Sequence, residues 1–530
     1  MGQENIQSDR ADSLAFGQLQ QQLRDRWLST DYFDPQPREI LVIPSLSLDQ
    51  QELQKIEGVH HYEERLLFAL IRLRNPRTRL IYVTSQPLHP SIIDYYLELL
   101  PGIPSSHARN RLKLFATYDA SQKPLTQKIL ERPRLVERIR QSLHTQNAYM
   151  TCYNSTHLEK KLSLELGVPL LAVDPDLLDW GTKSGSRRIF ADCGLPHPDG
   201  SQLVHTRRDL ATVSAELWER QPHLKRMVIK LNEGFSGEGN ALLSLDQLAE
   251  VAPGTASHQE RTARFYEHLS SLRFQCMTEH WENFEQKIHD LGAIAEAFVE
   301  GDEKRSPSVQ GRVTPFGEVE MLSTHDQVLG GPDNQVFLGC SFPADAAYRL
   351  DMQAMGRQVG EQLAAKGAIE RFGVDFIAVR QPEAKSGWDL QAIEINLRKG
   401  GTTHPFMALK LLTDGKYDPH DGIFYTPQGQ PKYYQASDNL QKEAYRGLLP
   451  SDLMDIIVAK RLHFNSIAGT GAAFHLMGCL SEYGKLGMTA IGNSPEQAEE
   501  IYQKVTQALD EACGEQDPVE SFESADTTQY

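Results

Sequence analysis

Cysteine is scarce. The chain has six cysteines in 530 residues. Its closest pair, Cys479 and Cys513, stands 34 positions apart, which excludes a C-x-x-C pair, a zinc spacing or a compact disulfide framework. They read as reduced cytosolic thiols. Long apolar runs are also missing. Leu66 to Ile71 is the longest, far short of the roughly 18 residues a membrane helix requires. The start, MGQENIQSDRADS, has neither a basic segment nor an apolar one, and Ile6 stands where a myristoylation signal wants Ser or Thr. A cytoplasmic protein with no export signal or anchor is expected. Positive charge is in deficit as well: 54 Lys and Arg face 71 Asp and Glu, a net charge of −17. Long-range electrostatics then repel nucleic acid and anionic membrane, so an anionic ligand needs a local site. Internal repeats and low-complexity blocks are absent.

What is present is globular in make-up, with 40% apolar, 24% charged and 8% aromatic residues, and is long enough for about three domains at roughly 150 residues each. Glu39 to Ser45 and Thr78 to Ser85 are β-branched runs with a helical pattern between them at Tyr62 to Arg74, a β-α-β unit. Further apolar pieces at Leu112 to Thr117 and Ala148 to Cys152 predict an open, mainly parallel sheet in residues 1–175, without a phosphate-binding fingerprint. Short strands and Gly-rich turns follow over 176–415. Asp345 to Lys366 reads there as an amphipathic helix with Met352, Met355, Val359 and Leu363 on one face and Gly367 beyond its end. A third region over 416–513 carries helical patterns at Ser451 to Arg461 and from Pro495 onward, and the acidic tail 514–530 is expected to be disordered.

Two clusters carry the chemistry. In Met227 to Leu243, Lys230 stands mid-strand among Val228, Ile229 and Leu231, ahead of a loop with Gly234, Gly237 and Gly239. A lysine there must snorkel or find an anion, and such a loop lets backbone N–H groups curl around phosphate oxygens. Alone, the string reads equally as a flexible hairpin with a surface lysine. Dinucleotide and G-x-x-x-x-G-K-[ST] motifs both fail. In Trp388 to Arg398, strand periodicity puts Glu394, Asn396 and Arg398 on one face and Ile393, Ile395 and Leu397 on the other. The preceding run, Val374 to Val379, is expected as the hairpin neighbour that brings Asp375 beside Glu394. Two acids and an amide oxygen suit Mg²⁺, which takes oxygen ligands. This face runs into Lys399-Gly-Gly-Thr-Thr-His-Pro405, where adjacent glycines let backbone approach a ligand. Two weaker pieces are the strand and turn Ala293 to Glu303 and the helix opened by Thr182 and Lys183.

In order, these pieces resemble the ATP-grasp superfamily over about Asp174 to Thr413. The resemblance implies an α/β architecture: an ATP-grasp fold of two α+β lobes clamping ATP, preceded by the parallel-sheet domain and followed by a C-terminal α/β region. It places Lys183 and Lys230 on the α- and β-phosphates and makes Glu233 to Asn240, including Gly234, Ser236, Gly237 and Gly239, the small loop over the γ-phosphate. Glu296 to Glu303 is similar to the hinge of D-alanyl-D-alanine ligases, which implies Glu296 near the adenine amine, Phe298 and Val299 along the ring, and Glu303 on the ribose. Asp375, Glu394 and Asn396 fall on the Mg²⁺ positions, expected as two ions with Mn²⁺ a substitute, and Arg398 on the basic position of the N-x-R pattern.

Pro307 to Pro315, Ser323 to Gln327, Gly400 to Pro405 and Gly469 to Gly478 are similar to the pheganomycin-type peptide ligases. That implies a carboxylate–amine ligase acting on small molecules or peptides through an acyl phosphate, with release of ADP and phosphate. Lys230 and Arg398 are the expected catalytic cations, Arg398 acting on the acyl phosphate and its tetrahedral successor. Arg312, His325 and His404 are the expected substrate-carboxylate ligands. A homo-oligomer is allowed for. The rival readings are an ATP-binding protein without turnover and a carboxylate kinase or carboxylase, although the chain has no biotin-carrier segment.

Overall fold

The computed structural model describes residues 2–26, 37–48, 50–100, 102–234, 239–276, 279–330, 336–384 and 386–514. Three sheets organise the described residues. The first joins β1 (Arg38–Ile43), β2 (Thr78–Thr84), β3 (Leu112–Ala116) and β4 (Ala148–Cys152) in the order β3-β2-β1-β4. Every pairing is parallel, and the near-continuous apolar runs of β1 and β2 are buried on both faces, as the inner strands of such a sheet are. The segment between β1 and β2 is helical as the periodicity predicts, but over Val59–Arg74 it is wound as a 3₁₀ helix rather than an α-helix. A helix at Gly2–Arg26 was not legible as such, because its polar composition hides the few residues that anchor it; Phe16 and Leu23 are buried.

The second sheet is antiparallel and holds β5 (Arg226–Leu231), β6 (Asn240–Ser244), β7 (Arg273–Phe274) and β8 (Ala293–Ala297) in the order β7-β6-β5-β8. Met227, Ile229, Leu231, Ala241 and Leu243 form its core with Phe265 and Phe284, so the alternate residues of β5 turn the other way.

The third sheet, of eleven strands, runs β14-β13-β10-β11-β12-β17-β16-β15, with β9 on β13 and β18 and β19 attached through β17. Its strands are β9 (Lys304–Arg305), β10 (Pro307–Val313), β11 (Val319–Gly330), β12 (Val336–Phe342), β13 (Glu370–Arg380), β14 (Trp388–Asn396), β15 (Lys416–Asp418), β16 (Ile423–Tyr425), β17 (Pro431–Gln441), β18 (Gly471–His475) and β19 (Lys485–Gly492). The helix Arg349–Ala365 covers its back through Met352, Val359 and Leu363 against Val309, Val313 and Phe372. Gly356 and Gly360 let it lie close: a Cβ on either would come within 2.5 Å of Val309 or 2.6 Å of Phe372. With that face filled, Ser308, Gln310 and Asp375 are left to look the other way.

The sheet does not break at residue 415. β17 pairs with β12, and Phe474, Met488 and Leu509 share one apolar core with Leu66, Tyr82 and Tyr96 of the first region. The C-terminal residues are thus continuous with the central sheet and packed on the N-terminal region. No helix among the described residues is long and apolar enough to cross a membrane, and all six cysteines are free. The expected disordered tail lies outside the described residues beyond Gly514.

Candidate active site

A cleft of about 1090 Å³ opens between the second and third sheets. Val228, Lys230 and Glu296 to Val299 line one wall, Asp375, Glu394, Asn396 and Arg398 another, and Tyr62, Arg65, Tyr153, Asp438 and Lys485 its far end.

On the first wall, Lys230 is 7% exposed and its ammonium lies 2.5 Å from Glu296. Glu296 also takes Arg187 at 3.0 Å. Burial pushes this carboxyl up, but Lys230 and Arg187 outweigh it and hold it below its ordinary value. Glu296 is therefore a charged clasp between buried Lys230 and half-buried Arg187. Phe298 sits between Arg226, 4.0 Å from its ring centre, and Lys304 at 4.4 Å, while the Val299 carbonyl accepts from Lys304 at 3.2 Å. Glu303 departs from the expectation for the hinge. Its carboxylate is more than half exposed, pairs with Arg305 at 3.5 Å and is not among the cleft-lining residues.

The helix Lys183–Asp192 ties this wall to the next. Thr182 caps it by accepting from the Gly185 N–H at 3.0 Å, and Asn232, just after β5, accepts from the Lys183 and Ser184 N–H groups. Lys183 and Arg187 stand four residues apart on one face. Arg187 reaches Glu296, whereas Lys183 reaches Glu394 at 2.5 Å. Ser186 between them accepts the Ile395 N–H at 2.9 Å. One helical turn thus binds an acid of each sheet.

On the second wall, Asp375 pairs directly with Glu394 across β13 and β14 and with Ser308 across β10. A register shift between Asp375 and Phe376 makes Ile393 an extra residue on β14. This corrects the simple alternation. Leu390 and Ala392 are buried ahead of the shift and Ile395 and Leu397 after it, while Ile393 itself lines the cleft rather than the core. The bulge reverses the phase of the strand and thereby turns Glu394 and Asn396 inward. Asp375 accepts from Gln327 at 2.8 Å and from Asn396 at 2.9 Å. Burial and the charge of Glu394 push its carboxyl up to about 6. Two adjacent acids lining the cleft with amides around them form a donor set that fits a divalent cation, since a cation there would relieve their mutual repulsion.

Three expected substrate ligands lie away from the cleft. His325 is fully buried in an aromatic pocket, with Nε2 2.5 Å from the Tyr434 hydroxyl, and burial pushes it down to about 3. His404 stacks on His475 at 3.9 Å and meets the Arg65 carbonyl at 3.0 Å; burial pushes it down to about 4. Both are neutral packing groups. Arg312 pairs with its cross-strand neighbour Glu320. All three were expected from the resemblance alone; Arg312 and His325 lie on strands and His404 in the helix Thr403–Thr413, and the groups packed over them keep them from the cleft. Of the loop, Glu233 and Gly234 are exposed and Gly239 is buried, and Ser236 and Gly237 lie outside the described residues.

Reasoning from the sequence missed Arg187, Gln327, Arg65, Asp438 and Lys485. Arg187 had a signal in its i, i+4 spacing from Lys183. The rest come from distant segments. Arg65 donates to Asp438 at 2.6 Å and to the Tyr153 hydroxyl at 3.1 Å, joining positions 373 residues apart. Lys485 donates to the Tyr62 hydroxyl at 2.7 Å.

A model of the IQCH-like ATP-grasp family matches residues 178–420, and one of the PGM1 C-terminal domain matches residues 452–505. An L-propargylglycine–L-glutamate ligase of Streptantibioticus cattleyicolor is 28% identical over 486 residues, covering 90% of this chain and 94% of that one. IQ motif-containing protein H of Danio rerio is 24% identical over 383 residues, 65% of this chain but only 36% of that protein. A biotin carboxylase from Campylobacter jejuni, solved in complex with an ATP analogue, has a TM-score of 0.53 at 10% identity, covering 91% of this chain and 96% of that one. Its likeness carries the fold alone. Taken with the cleft between an antiparallel lobe and the acid-bearing sheet, the matches give this chain an ATP-grasp fold, with residues 178–420 similar to the IQCH-like ATP-grasp family.

Proposed function

We propose that the protein is an ATP-dependent carboxylate–amine ligase that activates a substrate acid as an acyl phosphate and joins it to an amine, releasing ADP and phosphate. The carrying observation is the juxtaposition in one cleft of the Asp375–Glu394 pair with Lys230, Asn396 and Arg398. The 28% identity to an amino-acid ligase over nearly the whole length of both chains supports the same reading.

Hydroxide is too poor a leaving group for a carboxylate to condense with an amine at neutral pH, so the acid is phosphorylated first. In this reading the wall at Val228 and Glu296 to Val299 takes the adenosine. Lys230 and Lys183 take phosphate oxygens, Lys183 exchanging its Glu394 contact for one. Asp375, Glu394 and Asn396 would hold Mg²⁺, proposed as two ions with Mn²⁺ a substitute, which would neutralise charge on the phosphoryl group being transferred. Arg398 faces the acyl phosphate and the tetrahedral adduct that follows. Gly234 to Gly239 is the proposed cover that keeps water from the intermediate.

The proposed division gives residues 176–415 the nucleotide and residues 1–175 and 416–513 the acceptor. Arg65 and Lys485 replace Arg312, His325 and His404 as the cations offered to a substrate carboxylate. Lys485 is 8% exposed and among the described residues makes no ion pair within 4.0 Å. Small molecules rather than nucleic acid or membrane are the proposed partners.

The test is a coupled ADP-release screen over pooled acids and amines, with mass spectrometry of the products. ADP release that requires both an acid and an amine is expected. Steady AMP formation, or ATP binding without turnover across a broad panel of amino acids and peptides, would overturn the reading.

A further inference from the structure

Two strand positions beyond Gln310, the sheet face that lines the cleft passes beneath the helix Thr403–Thr413 and changes character. Arg312 stands directly opposite Arg371 on β13 and opposite Glu320 on β11. Like charges at directly opposed positions are destabilising, and here both guanidiniums are at least nine-tenths buried. The hydrogen bond of the Arg371 guanidinium runs to the Met407 thioether at 2.9 Å, a weak acceptor. The same helix brings Lys410 three residues on, and the helix Val59–Arg74 brings Arg72. Burial, then Arg312, Arg371 and Arg72, push the Lys410 ammonium down to about 8. Burial, with Arg312 and Arg72, brings Arg371 down to about 10 even against the nearby Glu370.

Among the described residues, acids near these cations are few. Glu320 is taken by Arg312, and Glu370 lies 3.6 Å from another cation, Lys399. Among the described residues, Arg72, Arg371 and Lys410 have no carboxylate within 4.0 Å. Among the buried cations in or beside the cleft, Lys183, Lys230 and Arg65 each have a carboxylate within 3.0 Å, whereas Lys485 has the Tyr62 hydroxyl. An excess of buried positive charge costs free energy unless an anion meets it.

We propose that Arg72, Arg312, Arg371 and Lys410 form a binding site for a small tetrahedral oxyanion, separate from the nucleotide cleft. Two guanidiniums from neighbouring strands and two cations from the helices packed near them supply the charge-assisted donors that suit phosphate oxygens. Free phosphate and the phosphoryl end of a small metabolite share this chemistry. The site does not depend on the ligase reading.

The experiment titrates the full chain with inorganic phosphate, with glycerol phosphate, and with chloride at matched ionic strength, reading the thermal midpoint. A saturable rise with phosphate and none with chloride is expected. Lys410→Met and, as a second variant, Arg72→Gln should weaken the apparent affinity at least tenfold. Each should also melt at or above the wild-type temperature without phosphate, because each removes a repelling charge. Lys183→Met should keep the response, since Lys183 pairs with Glu394 of the cleft. Tighter binding of glycerol phosphate would support the site with a metabolite as its source; tighter binding of inorganic phosphate would support it with the free ion. No saturable response would overturn the proposal, as would a response lost in Lys183→Met but kept in Lys410→Met.

Discussion

Glu296 and Asp375 are both acids on strands that line one cleft, yet their surroundings are opposite. Glu296 lies between Lys230 and Arg187 and is held charged. Asp375 lies beside Glu394 with amide donors for company and is pushed up toward neutrality. An acid among cations is already satisfied and serves to hold the wall together. An acid facing an acid is incomplete, and that incompleteness marks where a cation belongs.

Glu296→Gln should break that contrast with the largest effect. It leaves buried Lys230 and half-buried Arg187 without their carboxylate, and the loss of stability should be about 3 kcal/mol, measured by urea unfolding. A loss below 1 kcal/mol would mean that the clasp is not structural. Glu394→Gln should instead leave the fold intact and lower ADP release roughly 100-fold or more, in steady-state assays with Mg²⁺ varied; turnover near wild type would remove the metal assignment.

The buried histidines sharpen the comparison through pH. His404 and His325 titrate in the folded protein near 4 and 3, below their unfolded value of 6.5. The unfolded chain therefore binds more protons between those limits, so the stability they contribute is complete above about pH 6.5 and is lost as pH falls. The slope should be about 1.4 kcal/mol per pH unit for each histidine. Asp375 has the opposite sign, its contribution being lost as pH rises toward 6. Denaturation midpoints of His404→Gln between pH 7 and 5 should show a shallower acid slope than wild type; an unchanged slope would contradict the burial argument. The smallest effect is expected for Glu303→Gln. With that carboxylate exposed on Arg305, the KM for ATP should stay within about twofold of wild type, and a tenfold rise would restore Glu303 to the nucleotide.

Much of this was legible because it is local. Strand parity put Glu394 and Asn396 on one face, and the hairpin turn set Asp375 beside them. The 3.6-residue period marked the helix Arg349–Ala365, and the apolar runs of β1 and β2 announced a parallel pair. What failed, failed where parity met something distant. The bulge at Ile393 altered which residues of β14 face the cleft, and His325 and His404 had faces a ligand could have used until Tyr434 and His475 covered them.

The sequence by itself determined which residues carry charge on which strands and the order in which they come, because period and spacing follow from backbone geometry. Only the tertiary structure decided which of those charges meet. The chain brings Arg65 to Asp438 and Lys183 to Glu394 across hundreds of positions, and whether a buried charge is paired, crowded or left wanting depends on neighbours within a few ångströms in space rather than along the chain.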